Sequence, residues 1–199
     1  RNDAITNITA PGTECIWVDI EMDLSTGICN SSPQFSSLPT PYTCLGQQFC
    51  YNHGTFDPDG DSLVYTLIDA RTTGGAVVPY TAGFSATYPI STTSGTFSID
   101  AQTGNMCFTP NQVGQYVIVI GIDEYRNGVY LGRTMRELQI VVQGCSNQQP
   151  QLDAPGVVGT GDEVVVDSVT VEACPLANVD FEFAFSDANV GDNITLNSN

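Results

Sequence analysis

Two long apolar segments joined by an Asn-Gly turn constrain the fold of this chain more than any other feature. Residues 115–125 and 129–142 are rich in β-branched and aromatic side chains, and Arg126, Asn127 and Gly128 lie between them. Asn-Gly supplies the positive φ angles that a tight hairpin turn requires, so the sequence predicts a long β-hairpin. Similar short runs recur along the chain, and no helical period persists for three turns. We therefore predict an all-β fold.

Five shorter strands are predicted ahead of the hairpin from their β-branched and aromatic composition. They are expected at residues 49–56, 63–68, 76–80, 96–99 and 106–109. The hairpin would then be the last pair of strands in a β-sandwich.

An internal repeat divides the chain. The motif Cys29-Asn-Ser-Ser-Pro33 returns loosely as Cys145-Ser-Asn-Gln-Gln-Pro150. Cys44 precedes Asp57 by thirteen residues, and thirteen residues also separate the cysteine and aspartate of the second copy, Cys174 and Asp187. Such self-similarity is the signature of tandem domains. The predicted units are a β-sandwich over residues 29–143 and an incomplete second repeat over residues 144–199, with residues 1–28 belonging either to the first unit or to one upstream.

Seven cysteines accompany a single histidine, and no Cys-x-x-Cys pair is present. This pattern favours disulfide bonds over a zinc site, and therefore an oxidising, extracellular compartment. Because the second copy holds only two cysteines, the repeat suggests that each copy makes the same internal bond. The predicted bonds are Cys29–Cys44, Cys50–Cys107 and Cys145–Cys174. Cys50–Cys107 would join two sheets, as in immunoglobulin domains, and Cys15 would face outward or towards a preceding domain.

An acidic turn is the strongest candidate for a binding site. Asp57-Pro-Asp59-Gly-Asp61 places three carboxylates at alternate positions, where they repel unless a cation such as Ca²⁺ neutralises them. Asp123 and Glu124 are the expected additional ligands, because loops at one end of a sandwich cluster together. A solvated Asp-Gly turn without a cation is the alternative interpretation. The second copy offers Asp187, Asn189 and Asp192.

The net charge of −17, with five arginines and no lysine, argues against several functions. The arginines are scattered, so nucleic acid is a poor partner, and the chemistry of P-loop and Schiff-base lysines is missing. No apolar run approaches the length of a membrane span, so membrane insertion is not expected. His53 has no nucleophile motif beside it and is expected to be structural, and we do not expect an enzyme.

Three segments resemble the cadherin-like and dystroglycan-type immunoglobulin-like repeats of very large bacterial surface proteins. They are residues 56–65, 97–110 and 114–123. The motifs around Cys29, Cys44 and Cys50 further resemble cysteine-bearing repeats of giant secreted proteins from gliding, filament-forming Bacteroidetes, which type IX secretion typically exports. The resemblance implies a cell-surface adhesin or filament whose partners are neighbouring repeats, copies of the same protein, or a surface or glycan target. It also implies calcium ligands at Asp57, Asp59, Asp61 and Asp123.

Two other functions remain open from the residues. A carbohydrate-binding or spacer module of a secreted enzyme could use exposed aromatic side chains, although core packing explains the same residues equally well. The candidates are Trp17, Tyr80, Phe84 and Tyr88. A glycoside hydrolase could use Asp123 with Glu124, or the acidic turn, as paired carboxylates.

Overall fold

The computed structural model describes residues 3–39, 42–148, 150–153, 158–159, 164–165, 171–174, 178, 180–182, 184–189 and 191. The protein is all-β, with 42% of residues in strands and no helix of seven or more residues in the described part of the chain. It divides into two compact units, Arg1–Gly144 and Cys145–Asn199.

The described strands of the first unit number ten. They are β1 Ile20–Met22, β2 Gln34–Phe35, β3 Tyr42–Cys44, β4 Phe49–Tyr51, β5 Thr55–Phe56, β6 Ser62–Leu67, β7 Ser98–Ile99, β8 Met106–Phe108, β9 Gly114–Arg126 and β10 Val129–Gln143. The main sheet has the order β1-β10-β9-β6, and β3 runs parallel to the C-terminal end of β10. A second sheet has the order β4-β8-β7, and β2 pairs with β5.

The long hairpin predicted from the sequence is confirmed. Strands β9 and β10 pair along their whole length, and Asn127 and Gly128 take φ angles of 53° and 79° in the turn. The segment predicted as a strand at 49–56 forms two strands, β4 and β5. The strand predicted at 76–80 is wrong: Val77 and Tyr80 make only isolated bridges. Pro79, between them, has no amide hydrogen for a ladder.

Strand β9 is buried on both of its faces, which explains its unbroken apolar sequence. Its even-numbered residues pack in the main core, whose members include Phe49, Tyr51, Met106, Phe108, Tyr116, Ile118, Ile120, Ile122, Leu138 and Ile140. Its odd-numbered residues pack in a smaller cluster on the opposite face, made of Ile8, Ala70, Val78, Val117, Val119 and Met135.

The N-terminal segment belongs to the first unit, a point that the sequence left open. Strand β1 pairs with β10, and Ile8 lies in the smaller cluster. Asn7 is fully buried: its Nδ2 donates to the carbonyl oxygens of Pro89 and Val117 at 2.7 Å each, and its Oδ1 accepts from the Val117 amide at 3.0 Å. These bonds hold the segment against β9.

The disulfide pairing agrees with the prediction at one bond and corrects the other two. Cys50 and Cys107 are bonded as predicted, but they lie directly opposite each other on the neighbouring strands β4 and β8, so the bond lies within one sheet rather than between two. Cys44 is bonded to Cys145. The predicted bonds Cys29–Cys44 and Cys145–Cys174 are therefore wrong, and Cys29 and Cys174 are free and exposed.

The direction of β3 explains the corrected pairing. Cys44 lies beside Gln143 in the parallel ladder, at the C-terminal end of β10 and two residues from Cys145. Cys29 lies at the opposite end of the hairpin, where its carbonyl oxygen accepts from Arg126 at 3.2 Å. The length of β10 therefore separates the two cysteines by about 45 Å, against the ~7 Å between Cα atoms that a disulfide can span.

The second unit contains three short antiparallel pairs in its described residues. Its strands are β11 Gln151–Leu152, β12 Val158–Gly159, β13 Val164–Val165, β14 Val171–Glu172, β15 Phe181–Glu182 and β16 Phe185–Ser186. Strand β11 pairs with β16, β12 with β15, and β13 with β14.

Candidate metal centre

The acidic turn of the first unit folds around Asp57. Its Oδ1 accepts hydrogen bonds from the backbone amides of Asp59 at 2.9 Å and Asp61 at 3.1 Å. Gly60, with a φ of 80°, allows the reversal between them. Asp57, Asp59 and Asp61 each direct a carboxylate oxygen into a group whose members lie within 4.8 Å of one another.

Strand pairing brings Glu124 towards this turn. Strand β6 begins directly after Asp61 and pairs with the end of β9, with Leu63 opposite Glu124. The Glu124 side chain is 1% exposed, and its Oε2 accepts a hydrogen bond from Asn30 Nδ2 at 2.6 Å. Burial raises the pKa of Glu124; the Asn30 hydrogen bond opposes this rise, and the three aspartates reinforce it.

The raised pKa of Glu124 means that the folded protein holds a proton there more tightly than the unfolded chain does. Its contribution to stability is therefore present at acidic pH and is lost as the pH rises through the folded-state pKa. Once it is ionised, the buried carboxylate destabilises the fold. A cation bound beside it would relieve this cost.

Arg126 supplies the positive charge present at the cluster. Its Nε and Nη2 donate to the two carboxylate oxygens of Asp61 at 2.6 and 2.8 Å, and Nη2 lies 3.5 Å from Asp59 Oδ2. These hydrogen bonds and charges raise the pKa of Arg126. Three aspartates thus interact with one guanidinium, and Glu124 adds a fourth carboxylate beside them. When all four are ionised, the cluster has three excess negative charges.

The structure does not bring Asp123 to this cluster. Successive residues of a strand face opposite sides of the sheet, so Asp123 and its neighbour Glu124 point apart. The Asp123 carboxylate accepts two hydrogen bonds from Arg133, at 2.6 Å from Nε and 2.8 Å from Nη2. Asp123 therefore forms an ion pair with Arg133. It does not join the acidic cluster as predicted, and it does not form a pair of catalytic carboxylates with Glu124.

The donor atoms of the cluster are of a type that could hold a hard divalent cation. They are carboxylate oxygens from Asp57, Asp59 and Asp61, the ligand type that such cations prefer, and the Glu124 carboxylate lies near enough to interact with all three electrostatically. Asp57 Oδ2 is buried and accepts no hydrogen bond from the described residues, so one of these carboxylate oxygens has no partner there. Burial of an unpaired acceptor costs about 1–3 kcal/mol, which metal coordination would offset.

The second unit repeats part of this turn. Asp187 Oδ1 accepts from the Asn189 amide at 2.7 Å, as Asp57 does from Asp59. Asn189 Oδ1 in turn accepts from the Gln148 amide at 2.7 Å. The equivalent bond in the first unit joins the Ser31 amide to Asp59 Oδ2, also at 2.7 Å. The third candidate ligand, Asp192, lies outside the described residues.

Sequence reasoning did not include Asn30, Ser31 and Arg126 in this cluster. Asn30 and Ser31 belong to the motif that begins at Cys29, and the return of that motif at Cys145 was the available signal, because both copies precede an acidic turn. Arg126 is the last residue of β9, directly before the hairpin turn, and only the register of β9 against β6 places it beside Asp61.

His53 lies inside the main core. It is fully buried, its ring packs edge-on against Tyr51 at 4.9 Å, and neither ring nitrogen has a hydrogen-bond partner among the described residues. Burial, and secondarily the charge of Arg136, lowers the pKa of His53 to about 4. His53 is thus a buried, neutral side chain, as the prediction of a structural role implies.

The candidate aromatic residues do not form one face. Tyr80 packs beside the smaller cluster, and its hydroxyl accepts from the Ala70 amide at 3.0 Å. Phe84 packs against the main core, on the other side of β9, and stacks on the half-exposed Tyr88 with centroids 6.4 Å apart. Trp17 lies at a bridge with Arg71.

No protein-family model matches the chain, and no curated protein is significantly similar to it. The two disulfides indicate an extracellular or otherwise oxidising environment. None of the helical turns described in this structure has the length and apolar composition of a bilayer-spanning helix.

Proposed function

We propose that the chain is a non-enzymatic, structural and adhesive repeat module of a large extracellular bacterial surface protein or filament. Its units are tandem immunoglobulin-like or cadherin-like domains, and disulfides and calcium stabilise them. The observation that carries this proposal is the cluster of Asp57, Asp59, Asp61 and Glu124, whose negative charge one arginine neutralises only in part. The unit that holds this cluster is crosslinked by the disulfide between Cys50 and Cys107.

The repetition of local structure supports the tandem arrangement. In the first unit β2 pairs with β5 directly before Asp57, with Gln34 opposite Phe56. In the second unit β11 pairs with β16 directly before Asp187, with Gln151 opposite Ser186. Both pairs begin one residue after the proline of the repeated motif, Pro33 or Pro150. Two copies of one supersecondary element in a single chain are the pattern of a repeat array.

Calcium has a physical role in such an array. A chain with a net charge of −17 repels itself, and a cation that binds only the folded cluster adds to its stability by mass action. Protons compete with calcium for Glu124, because its pKa is raised. The stabilising effect of calcium should therefore decrease as the pH falls.

Surface labelling tests the proposed location and role together. Antibodies against the folded chain should bind intact source cells, and protease treatment of intact cells should remove the label. Non-reducing peptide mapping of the surface material should recover Cys50 bonded to Cys107. Label that appears only after the cells are lysed, or reduced cysteines at these positions in native material, would contradict an extracellular structural module.

A cavity beside Tyr88 favours carbohydrate binding as a second candidate function. It has a volume of about 460 Å³ and combines an exposed aromatic ring with hydroxyl and amide groups, as sugar sites do. Its lining residues are Thr87, Tyr88, Thr92, Ser94, Gly95, Phe97 and Asn111. If this candidate is correct, oligosaccharides on a glycan array should bind the chain, and Tyr88→Ala should lose that binding while its melting temperature stays close to that of the wild type.

A further inference from the structure

The two copies of the repeat can be aligned by their contacts. Ser31 and Gln148 each lie two residues before the proline of their motif, and each donates its amide to the third residue of an acidic turn. This alignment places Cys29 and Cys145 at the start of their copies, four and five residues before Pro33 and Pro150. We call these two residues the leading cysteines.

A second pair of cysteines is equivalent in the same way. Cys44 lies thirteen residues before Asp57, and Cys174 lies thirteen residues before Asp187. Each aspartate opens its turn with the same hydrogen bond to the amide two residues later. We call Cys44 and Cys174 the trailing cysteines. Each copy thus has one leading and one trailing cysteine.

The bond that forms within the chain joins unlike members of these pairs. Cys44, the trailing cysteine of the first copy, is bonded to Cys145, the leading cysteine of the second. The remaining members, the leading Cys29 and the trailing Cys174, are free and exposed. Because Cys174 is equivalent to Cys44, its partner by this rule is the leading cysteine of another copy. Cys29 correspondingly requires the trailing cysteine of another copy.

We propose that Cys29 and Cys174 are the sites at which further copies of this repeat are attached by disulfide bonds, trailing cysteine to leading cysteine. The partner is a second copy of this chain or an equivalent repeat. The two thiols lose two protons and two electrons as the S–S bond forms. A disulfide oxidant such as oxidised glutathione accepts the electrons and becomes two glutathione thiols.

Complementary cysteine variants test this proposal in the full chain. Cys29→Ser keeps only the trailing thiol of the pair, and Cys174→Ser keeps only the leading one. In a glutathione redox buffer each variant alone should stay largely monomeric on a non-reducing gel. An equimolar mixture should give a disulfide-linked dimer at a yield at least tenfold higher, and peptide mapping should show Cys174 linked to Cys29.

Two further variants serve as controls. Cys15→Ser should leave the ladder of oxidised wild-type chains unchanged, and the double variant Cys29→Ser, Cys174→Ser should form none. Equal dimer yields from the separate and mixed variants, a Cys29–Cys174 bond within one molecule, or a link through Cys15 would each overturn the proposal.

Because this proposal rests on the proposed tandem array, the calcium response is measured on the same variants. A failed cross-link with an intact, calcium-dependent rise in melting temperature would remove the disulfide connection and leave the proposed function standing. If calcium does not raise the melting temperature of the wild-type chain, the result counts against the proposed function instead.

Discussion

Replacement of Asp57 by asparagine should stabilise the calcium-free protein and abolish its response to calcium. Asp57 Oδ1 accepts from the amides of Asp59 and Asp61, and an asparagine Oδ1 can accept both hydrogen bonds. Oδ2 is buried and has no hydrogen-bond partner in the described structure. The substitution Asp57→Asn would therefore preserve the turn, remove one charge, and place an NH₂ donor among carboxylates.

The expected gain follows from the geometry of the cluster. Its three aspartate oxygens lie within 4.8 Å of one another. Two unit charges at that separation repel by about 1 kcal/mol in water and by about 3.5 kcal/mol at an effective dielectric constant of 20. Arg126 offsets part of this repulsion through Asp61 and Asp59. We expect the free energy of unfolding to rise by about 1–3 kcal/mol in EDTA at pH 7, or about 2–12 °C in Tm.

The calcium response changes in the opposite direction. Calcium at about 100 times its Kd should stabilise the wild-type protein by about 2.7 kcal/mol, or about 5–10 °C in Tm. Asp57→Asn should show almost none of this increase. Paired thermal melts in EDTA and in excess calcium measure both effects.

Asp123→Asn is the matched control for this experiment. It changes a carboxylate of the same sheet end, but one that is bound by Arg133. It should lower Tm in EDTA and keep the full calcium-dependent rise. The reasoning is refuted if Asp57→Asn melts below the wild type in EDTA, or if it retains the calcium-dependent increase of the wild type.

Three further predictions concern the first unit. Burial lowers the pKa of His53 to about 4, so the folded protein loses stability as the pH falls from 6.5 towards 4. His53→Leu should remove this loss, which amounts to about 3 kcal/mol of unfolding free energy at pH 4 and can be measured by urea unfolding. The serine double variant of Cys50 and Cys107, which are 57 residues apart, should lose about 4 kcal/mol of unfolding free energy. Asn7→Ala should cost about 1–3 kcal/mol and speed hydrogen exchange at Val117, because it leaves that residue's buried amide and carbonyl unpaired.

Each of these predictions has a clear contrary result. Equal slopes of stability against pH for the wild type and His53→Leu would show that the imidazole is protonated without penalty inside the core. Unchanged stability of the cysteine double variant would show that the disulfide does not restrict the unfolded chain. Slow exchange at Val117 in Asn7→Ala would show that other groups hold the N-terminal segment against β9.

The hairpin could be predicted because its signals are local. Asn127-Gly128 determines the turn, and the two apolar segments beside it pair through that turn. The bond from Cys44 to Cys145 could not be predicted in this way, because it depends on the parallel pairing of β3 with the end of β10, a contact distant in sequence. The repeat showed which cysteines are equivalent, but equivalence does not say whether a bond stays within one copy.

The candidate site shows the same division between local and distant information. The turn around Asp57 follows from Asp and Gly chemistry and could be predicted. The choice between Asp123 and Glu124 could not, because adjacent strand residues face opposite sides and both sides of β9 are buried. Contacts between residues distant in sequence decide which carboxylate faces the turn: Arg133 binds Asp123, and the pairing of β9 with β6 places Glu124 near the turn.

The placement of the arginines bears on the cation binding proposed for this protein. Arg126 is bound to the acidic cluster, and Arg133 is bound to Asp123. Arg136 lies over the Phe35 ring at 4.2 Å and donates to the carbonyl oxygens of Ser37 and His53. These three arginines thus serve internal contacts, in a chain with five basic and 22 acidic residues. Under the proposed function, solvent cations neutralise the remaining carboxylates, and the group of Asp57, Asp59 and Asp61 is the site at which a cation would bind.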